Sequence, residues 1–232
     1  MNKHEPASLV ERSALAEPQP RLGSPIQLRR FSLMPPRALF IGASTGGPQA
    51  LEVVLSSASD TLRHMPIVVV LHAPPGFMEV VAANVAKAAR MPARICLNGE
   101  RLMPGTIYFA PGDKHVRVMK ADKRIVLVHS DGEPQNFCKP AVDVLFRSAA
   151  RSFGPEALGI VLTGMGRDGF MGAQEIVTCG GSVVVQDEAS SVVWGMPGVI
   201  ARAGLASAVL PVSGISSAID GLMTATRRSA IA

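Results

Sequence analysis

A chain of 232 residues that is 47% hydrophobic is long enough to bury one sizeable core, which favours a single folded domain over two small ones. Only 4% of its residues are aromatic, so that core has to be built from Val, Ile, Leu, Ala and Met, the composition of buried parallel strands covered by helices. The formal net charge of +5 is scattered, without the Lys/Arg run and interleaved aromatics of a nucleic-acid surface, and the 3 separated cysteines argue against a disulfide framework or thiolate metal site.

Residues 1–35 mix Glu, Arg, Ser, Pro and Ala without an amphipathic period and read as a mobile N-terminal tail, with a short helix allowed around 8–15. No apolar leader occurs there and no stretch elsewhere has the length of a membrane span, so a soluble, cytoplasmic protein without membrane insertion is expected. Met34-Pro35-Pro36 stops any helix, and the folded domain is expected over 36–232. From there apolar runs alternate with helical patterns: strand 37–41, helix 48–57, strand 66–72, helix 76–90 and short strands at 93–96 and 106–110. Two β-rich runs, 115–119 and 125–129, flank a polar turn and predict a hairpin. The alternation resumes with helix 141–153, strand 157–163, helix 168–179, strand 182–186, helix 193–203, strand 206–210 and a helix after Gly214. This order predicts an α/β fold: a doubly wound, mostly parallel sheet with helices on both faces and one antiparallel β-hairpin.

Ligands of such sheets sit outside the carboxyl ends of the strands, near a reversal of strand order. Three residues fall at such ends. Ser44 lies in Gly42-Ala43-Ser44-Thr45-Gly46-Gly47, a tight turn between strand and helix that exposes a hydroxyl beside free backbone N–H groups. His72 ends the apolar run 67–71, and Asp168 lies in Gly164-Met165-Gly166-Arg167-Asp168-Gly169 after the run 158–162. A serine hydroxyl needs a base to become a nucleophile, and the base needs a carboxylate to fix its tautomer; Ser44, His72 and Asp168 supply that set. The N–H of Met165, with amides at the start of the Ser44 helix, would then receive an oxyanion.

Other readings stand beside this one. A Gly-rich loop at a helix N-terminus also cradles phosphates, although the second strand ends Leu71-His72-Ala73-Pro74, where a dinucleotide site calls for an acidic residue. Asp168 alone would serve as N-cap of the helix beginning at Gly169, a job compatible with orienting His72. His4, His64, His115 and His129 form no metal-ligand spacing and read as surface or structural, and Cys138 reads as a packing residue, so no metal or cofactor is expected.

The order Ser, His, Asp differs from the Ser, acid, His order of α/β-hydrolases. The chain resembles the catalytic domain of the chemotaxis protein-glutamate methylesterases, the CheB family. Five ordered segments carry the resemblance: 41–47; His72 with Pro74-Pro75-Gly76-Phe77; Ala110-Pro111-Gly112-Asp113-Lys114-His115; 162–169; and Gln186-Asp187-Glu188-Ala189-Ser190 before Gly195-Met196-Pro197. The resemblance implies cofactor-free hydrolysis of methyl esters on glutamate side chains of chemoreceptor cytoplasmic helices and, in many members, deamidation of receptor glutamine. It implies Ser44 as nucleophile, His72 as general base and then acid, Asp168 as orienting carboxylate, Met165 as oxyanion donor and Thr45 as a residue lining the site. Members usually carry an N-terminal receiver domain, for which residues 1–35 are too short, so phosphorelay control within this chain is not expected. The segment Asn136-Phe137-Cys138-Lys139-Pro140-Ala141-Val142-Asp143 also departs from the family's Arg/His-rich pattern, and losing an Arg fork alters substrate contacts. That departure and the missing receiver motivate one competitor, a docking module without activity; a second, an esterase or amidase for a different substrate, stands because fold and triad do not choose an acyl group. No motif speaks to oligomeric state.

Overall fold

The computed structural model describes residues 25–56, 61–74 and 76–229. Nine strands and six α-helices alternate among these residues. In chain order they are β1 (Ala38–Ala43), α1 (Gly47–Ser56), β2 (Ile67–Leu71), α2 (Met78–Ala89), β3 (Ala93–Ile95), β4 (Ile107–Phe109), β5 (His115–Ala121) and β6 (Arg124–Ser130). Then follow α3 (Val142–Phe153), β7 (Ala157–Val161), α4 (Phe170–Thr178), β8 (Ser182–Gln186), α5 (Met196–Arg202), β9 (Ala208–Leu210) and α6 (Ile215–Ser229).

Seven strands form one sheet in the order β3-β4-β2-β1-β7-β8-β9, every adjacent pair parallel, while β5 and β6 form a separate antiparallel pair. The chain winds outward from β1 through β2 in one direction and from β7 through β8 in the other. The strand order therefore reverses between β1 and β7, and the crevice this opens at their carboxyl ends is where such sheets hold ligands.

Both faces of the sheet are covered, as the near-continuous apolar runs require. In β1, Phe40 points into a core shared with Leu145 and Phe146 of α3, Ile176 of α4 and Ile200 of α5. Its neighbours Leu39 and Ile41 point into the opposite core, with Leu51 and Leu55 of α1, Val81 and Val85 of α2 and Ile215 of α6. Full burial of each such side chain contributes about 1.5–3 kcal/mol. The hairpin is an annex to α3: Val118 and Leu127 join that helix's core, and the Val118 N–H donates to Ser148 Oγ at 3.0 Å.

Three helices are clearly shorter than the sequence pattern suggests: α2, which runs Met78–Ala89, and also α4 and α5. In α4 the start waits until Phe170 because Gly169 has φ +93°, and α5 begins only at Met196 because the stretch before it runs extended, with Gly164 N–H donating to Val193 O at 2.9 Å. Of the expected tail, residues 25–35 run irregularly beside the β8–β9 edge, where Arg29 N–H donates to Ala206 O at 2.9 Å and Ser32 N–H to Ser182 Oγ at 2.8 Å. Residues 1–24, and with them the helix allowed at 8–15, lie outside the described residues. Among the described residues no helix is long and apolar enough to cross a membrane.

Candidate active site

The crevice is built from the turns that leave β1, β2 and β7. Ala43 pairs with Leu71 in parallel register, so Ser44 and His72 leave neighbouring strands at one level, and His72 N–H donates to Ala43 O at 3.0 Å. On the other flank, Ser44 N–H donates to Thr163 O at 3.0 Å, which ties the serine turn to the loop after β7. Thr163 is held in turn by Gln186, whose Oε1 accepts the Thr163 N–H at 2.8 Å.

Close packing explains the glycines here. Gly46 has φ +79°, and a Cβ on it would stand 2.6 Å from Val192 Cγ2. A Cβ on Gly164 would stand 2.8 Å from Ser44 Cβ and 2.5 Å from Met196 Sδ, so Gly164 is what lets the β7 loop lie directly against the serine. Thr45 and Met165 are both exposed on the two turns that frame this contact. Neither backbone N–H is committed to an acceptor among the described residues.

Asp168 is 1% exposed and is the most heavily hydrogen-bonded side chain of the site. Its Oδ2 accepts from His72 Nε2 at 2.9 Å and from Val142 N–H at 2.7 Å, and its Oδ1 from Asp143 N–H at 3.0 Å and Gly169 N–H at 2.9 Å. Asn136 Nδ2 adds a longer contact to Oδ1 at 3.4 Å. The aspartate thus closes the N-terminus of α3, a helix that starts 26 residues before it, and does not cap α4, whose N-cap is Gly169 without a side-chain bond. A carboxylate only accepts, so Nε2 of His72 carries the proton and Nδ1 keeps the lone pair.

The structure brings His72 and Asp168 into direct contact and sets Ser44 on the adjoining strand end. Among the described residues Ser44 Oγ makes no hydrogen bond to His72. The group recorded beside Nδ1 is the Cys138 thiol, with Sγ 3.7 Å away. Burial first, then the charges of Asp168 and Asp143, push that thiol up to about 11, so it is protonated at neutral pH. No spacing rule signals this neighbour, because the loop reaches the histidine through Asn136 and Phe137, at φ +50° and +62°.

His72, Cys138 and Asp168 offer ligand atoms within 4.8 Å of one another, a cluster that sequence spacing does not announce. The oxygens of Asp168 are already taken up by α3 amides and by His72, which fits a cap and orienting group better than a ligand. Asp143 is a second buried carboxylate that sequence reasoning passed over. Its Oδ1 accepts Gly172 N–H at 2.7 Å and its Oδ2 accepts Asn136 Nδ2 at 2.9 Å, so it ties α3, α4 and the 136–138 loop together. Burial is the main cause that raises its carboxyl above the ordinary value. His115 is structural, accepting Ala141 N–H on Nδ1 at 3.1 Å and meeting Glu133 O with Nε2 at 3.0 Å.

The chain as a whole is similar to known proteins. The chain is 46% identical over 214 residues to a protein-glutamate methylesterase/protein-glutamine glutaminase of group 2 operon from Rhodopseudomonas palustris, an alignment covering 92% of this chain and 55% of that protein. A protein of the same description from Bradyrhizobium diazoefficiens is 43% identical over 223 residues, 95% of this chain and 56% of the relative. The chain thus spans about half the length of these relatives. The crystal structure of the Thermotoga maritima CheB methylesterase catalytic domain superposes with a TM-score of 0.78 at 32% identity, covering 82% of this chain and 100% of that one. With the family's sequence pattern matched over residues 39–219, the chain belongs to the CheB methylesterase family.

Proposed function

We propose that the protein hydrolyses methyl esters on glutamate side chains of chemoreceptor cytoplasmic helices, and deamidates glutamine at such positions, with Ser44, His72 and Asp168 as a catalytic triad in the cytoplasm. The observation that carries this reading is the 2.9 Å contact between His72 Nε2 and Asp168 Oδ2, which leaves Nδ1 as the basic nitrogen at the strand end next to Ser44. The relatives named as protein-glutamate methylesterases/protein-glutamine glutaminases and the resemblance of the five segments support the substrate.

In the first half-reaction Ser44 Oγ attacks the ester carbonyl as its proton passes to His72 Nδ1, and Asp168 stabilises the imidazolium through Nε2–H. The uncommitted N–H groups of Thr45 and Met165 are the donors we assign to the oxyanion. Collapse breaks the C–O bond to the methoxy group, which leaves as methanol with the proton from Nδ1. Water then adds to the acyl-serine with Nδ1 again taking a proton, and the bond between the acyl carbon and Ser44 Oγ breaks as that proton passes from Nδ1 to Oγ, which frees glutamate and restores the hydroxyl. On a glutamine the same steps release ammonia.

The test is methanol release from radiomethylated receptor membranes, comparing wild type with Ser44→Ala and His72→Gln. Release by wild type and its loss in both variants is the expected result. Equal release by wild type and Ser44→Ala would remove the serine mechanism, and absence of release from wild type would remove the esterase reading.

A further inference from the structure

A second concavity lies beside the crevice, on the outer side of α3. It is an open groove of about 490 Å³ between α3 and β5, and four of its ten lining residues, Arg117, Lys120, Arg147 and Arg151, are basic while none is acidic. Val144, Arg147, Ser148 and Arg151 follow the i, i+3, i+4, i+7 spacing of one helix face, so the α3 wall is a continuous stripe. From Val144 to Ser152 that wall is about 12 Å long at 1.5 Å per residue.

The cations are placed for an outside partner. Arg117, Lys120 and Arg151 are exposed and pair with no carboxylate among the described residues. Arg147 is fixed in the wall, donating from Nη1 to Gln135 Oε1 at 2.7 Å. Gln135 also links the groove to the crevice. It exchanges backbone hydrogen bonds with Cys138 at 3.0 and 2.8 Å, and Cys138 Sγ stands 3.7 Å from His72 Nδ1.

We infer that this groove binds an acidic segment of the protein substrate, one that carries glutamate carboxylates beside the ester undergoing hydrolysis. The inference rests on the esterase reading, because that reaction turns each neutral ester or amide it meets into a carboxylate. A segment with several such sites becomes more acidic as it is processed, and a groove carrying three cations without a carboxylate partner, beside an Arg147 that already faces Asp143 at 3.9 Å, attracts it in that state. Partial processing then favours capture of the sites that remain.

The experiment uses two synthetic peptides with one γ-methyl glutamate each, flanked by glutamates in one and by alanines in the other. Wild type is compared with Arg117→Glu/Arg151→Glu and with Arg117→Gln/Arg151→Gln. Wild type is expected to show a KM about tenfold lower for the glutamate-flanked peptide at low salt, with the preference shrinking as salt rises. The neutral variant should lose much of the preference and the reversed variant all of it, with the change confined to KM. Indifference of wild type to the flanking charge overturns the inference, as does a preference that survives charge reversal. If wild type hydrolyses neither peptide, the esterase reading fails on its own, and fluorescence anisotropy of the same labelled peptides decides the groove: charge-dependent binding lost in the reversed variant upholds it, and charge-independent binding overturns it.

Discussion

The amide of Val142, at the first turn of α3, donates to Oδ2 of Asp168 at 2.7 Å, the same oxygen that receives His72 Nε2. One carboxylate therefore both closes a helix and orients the candidate base. Replacing it by asparagine puts an amide N–H₂ where one oxygen accepts backbone donors, which leaves buried N–H groups of α3 unsatisfied. Asp168→Asn should cost about 2–4 kcal/mol of stability from lost capping and desolvated amides. It should also lower methanol release on the order of 10⁴-fold, as expected when a triad histidine loses its tautomer. Ser44→Ala, by contrast, should abolish release while shifting stability by no more than about 0.5 kcal/mol, because alanine keeps the Cβ that packs at Gly164 and removes only a hydroxyl without a hydrogen bond among the described residues. Urea denaturation of both variants, read beside the methanol assay, separates the two effects.

Gly164→Ala tests the close approach of the β7 loop to the serine. The added methyl would stand 2.8 Å from Ser44 Cβ and 3.1 Å from Ser44 N, with Met196 Sδ closing the other side at 2.5 Å. Something has to shift, and a displacement approaching 1 Å in a reacting group lowers turnover about 100-fold. Overpacking should also destabilise by about 1–3 kcal/mol. Kinetics and a thermal melt of this variant check both figures; near-wild-type turnover would mean that the loop yields instead of the serine.

The strand ends carrying Ser44, His72 and Asp168 were legible because each apolar run stops one to six residues before the candidate side chain, and parallel sheets put such ends together. The partner of Asp168 was not. Local capping rules look a few residues ahead, toward α4, whereas the amides it accepts, apart from Gly169, belong to α3 and are brought in by tertiary packing. The resemblance singled out the segment of Cys138 and Asn136, but their contacts with His72, Asp143 and Asp168 were hidden for a similar reason: consecutive positive φ values at Asn136 and Phe137 turn their loop into the site, and nothing in their side chains announces that backbone. The late start of α5 reflects competition, since Val193 and Gly195 bond to Gly164 instead of entering the helix.

Cys138 offers a chemical handle on this loop. Its thiol is pushed up to about 11, so near pH 8 iodoacetamide should modify it about a hundredfold more slowly than an unperturbed cysteine and speed up about tenfold per pH unit until that value is approached. The adduct would fill space beside His72 Nδ1, 3.7 Å away, and should suppress methanol release in step with labelling. Cys138→Ala should be resistant to this inactivation. Inactivation of Cys138→Ala at the wild-type rate would assign the effect to another residue.

Asp143 makes the last prediction, on stability against pH. Burial raises its carboxyl above 3.8 in the folded state, so the folded protein holds the Asp143 proton more tightly than the unfolded chain does. The sign follows from linkage: where the native state binds more protons, stability falls as pH rises. The Asp143 contribution is therefore fully present below the unfolded carboxyl value and is lost as pH climbs through the raised folded value. Asp143→Asn carries no such proton, although it alters the bonds to Gly172 and Asn136 by an amount independent of that titration. Urea denaturation of both proteins from about pH 3 to pH 7, across the carboxylate range, should show wild type losing stability relative to the variant with rising pH. A pH-independent difference would mean that the surrounding N–H donors hold Asp143 as firmly in its charged form as water does.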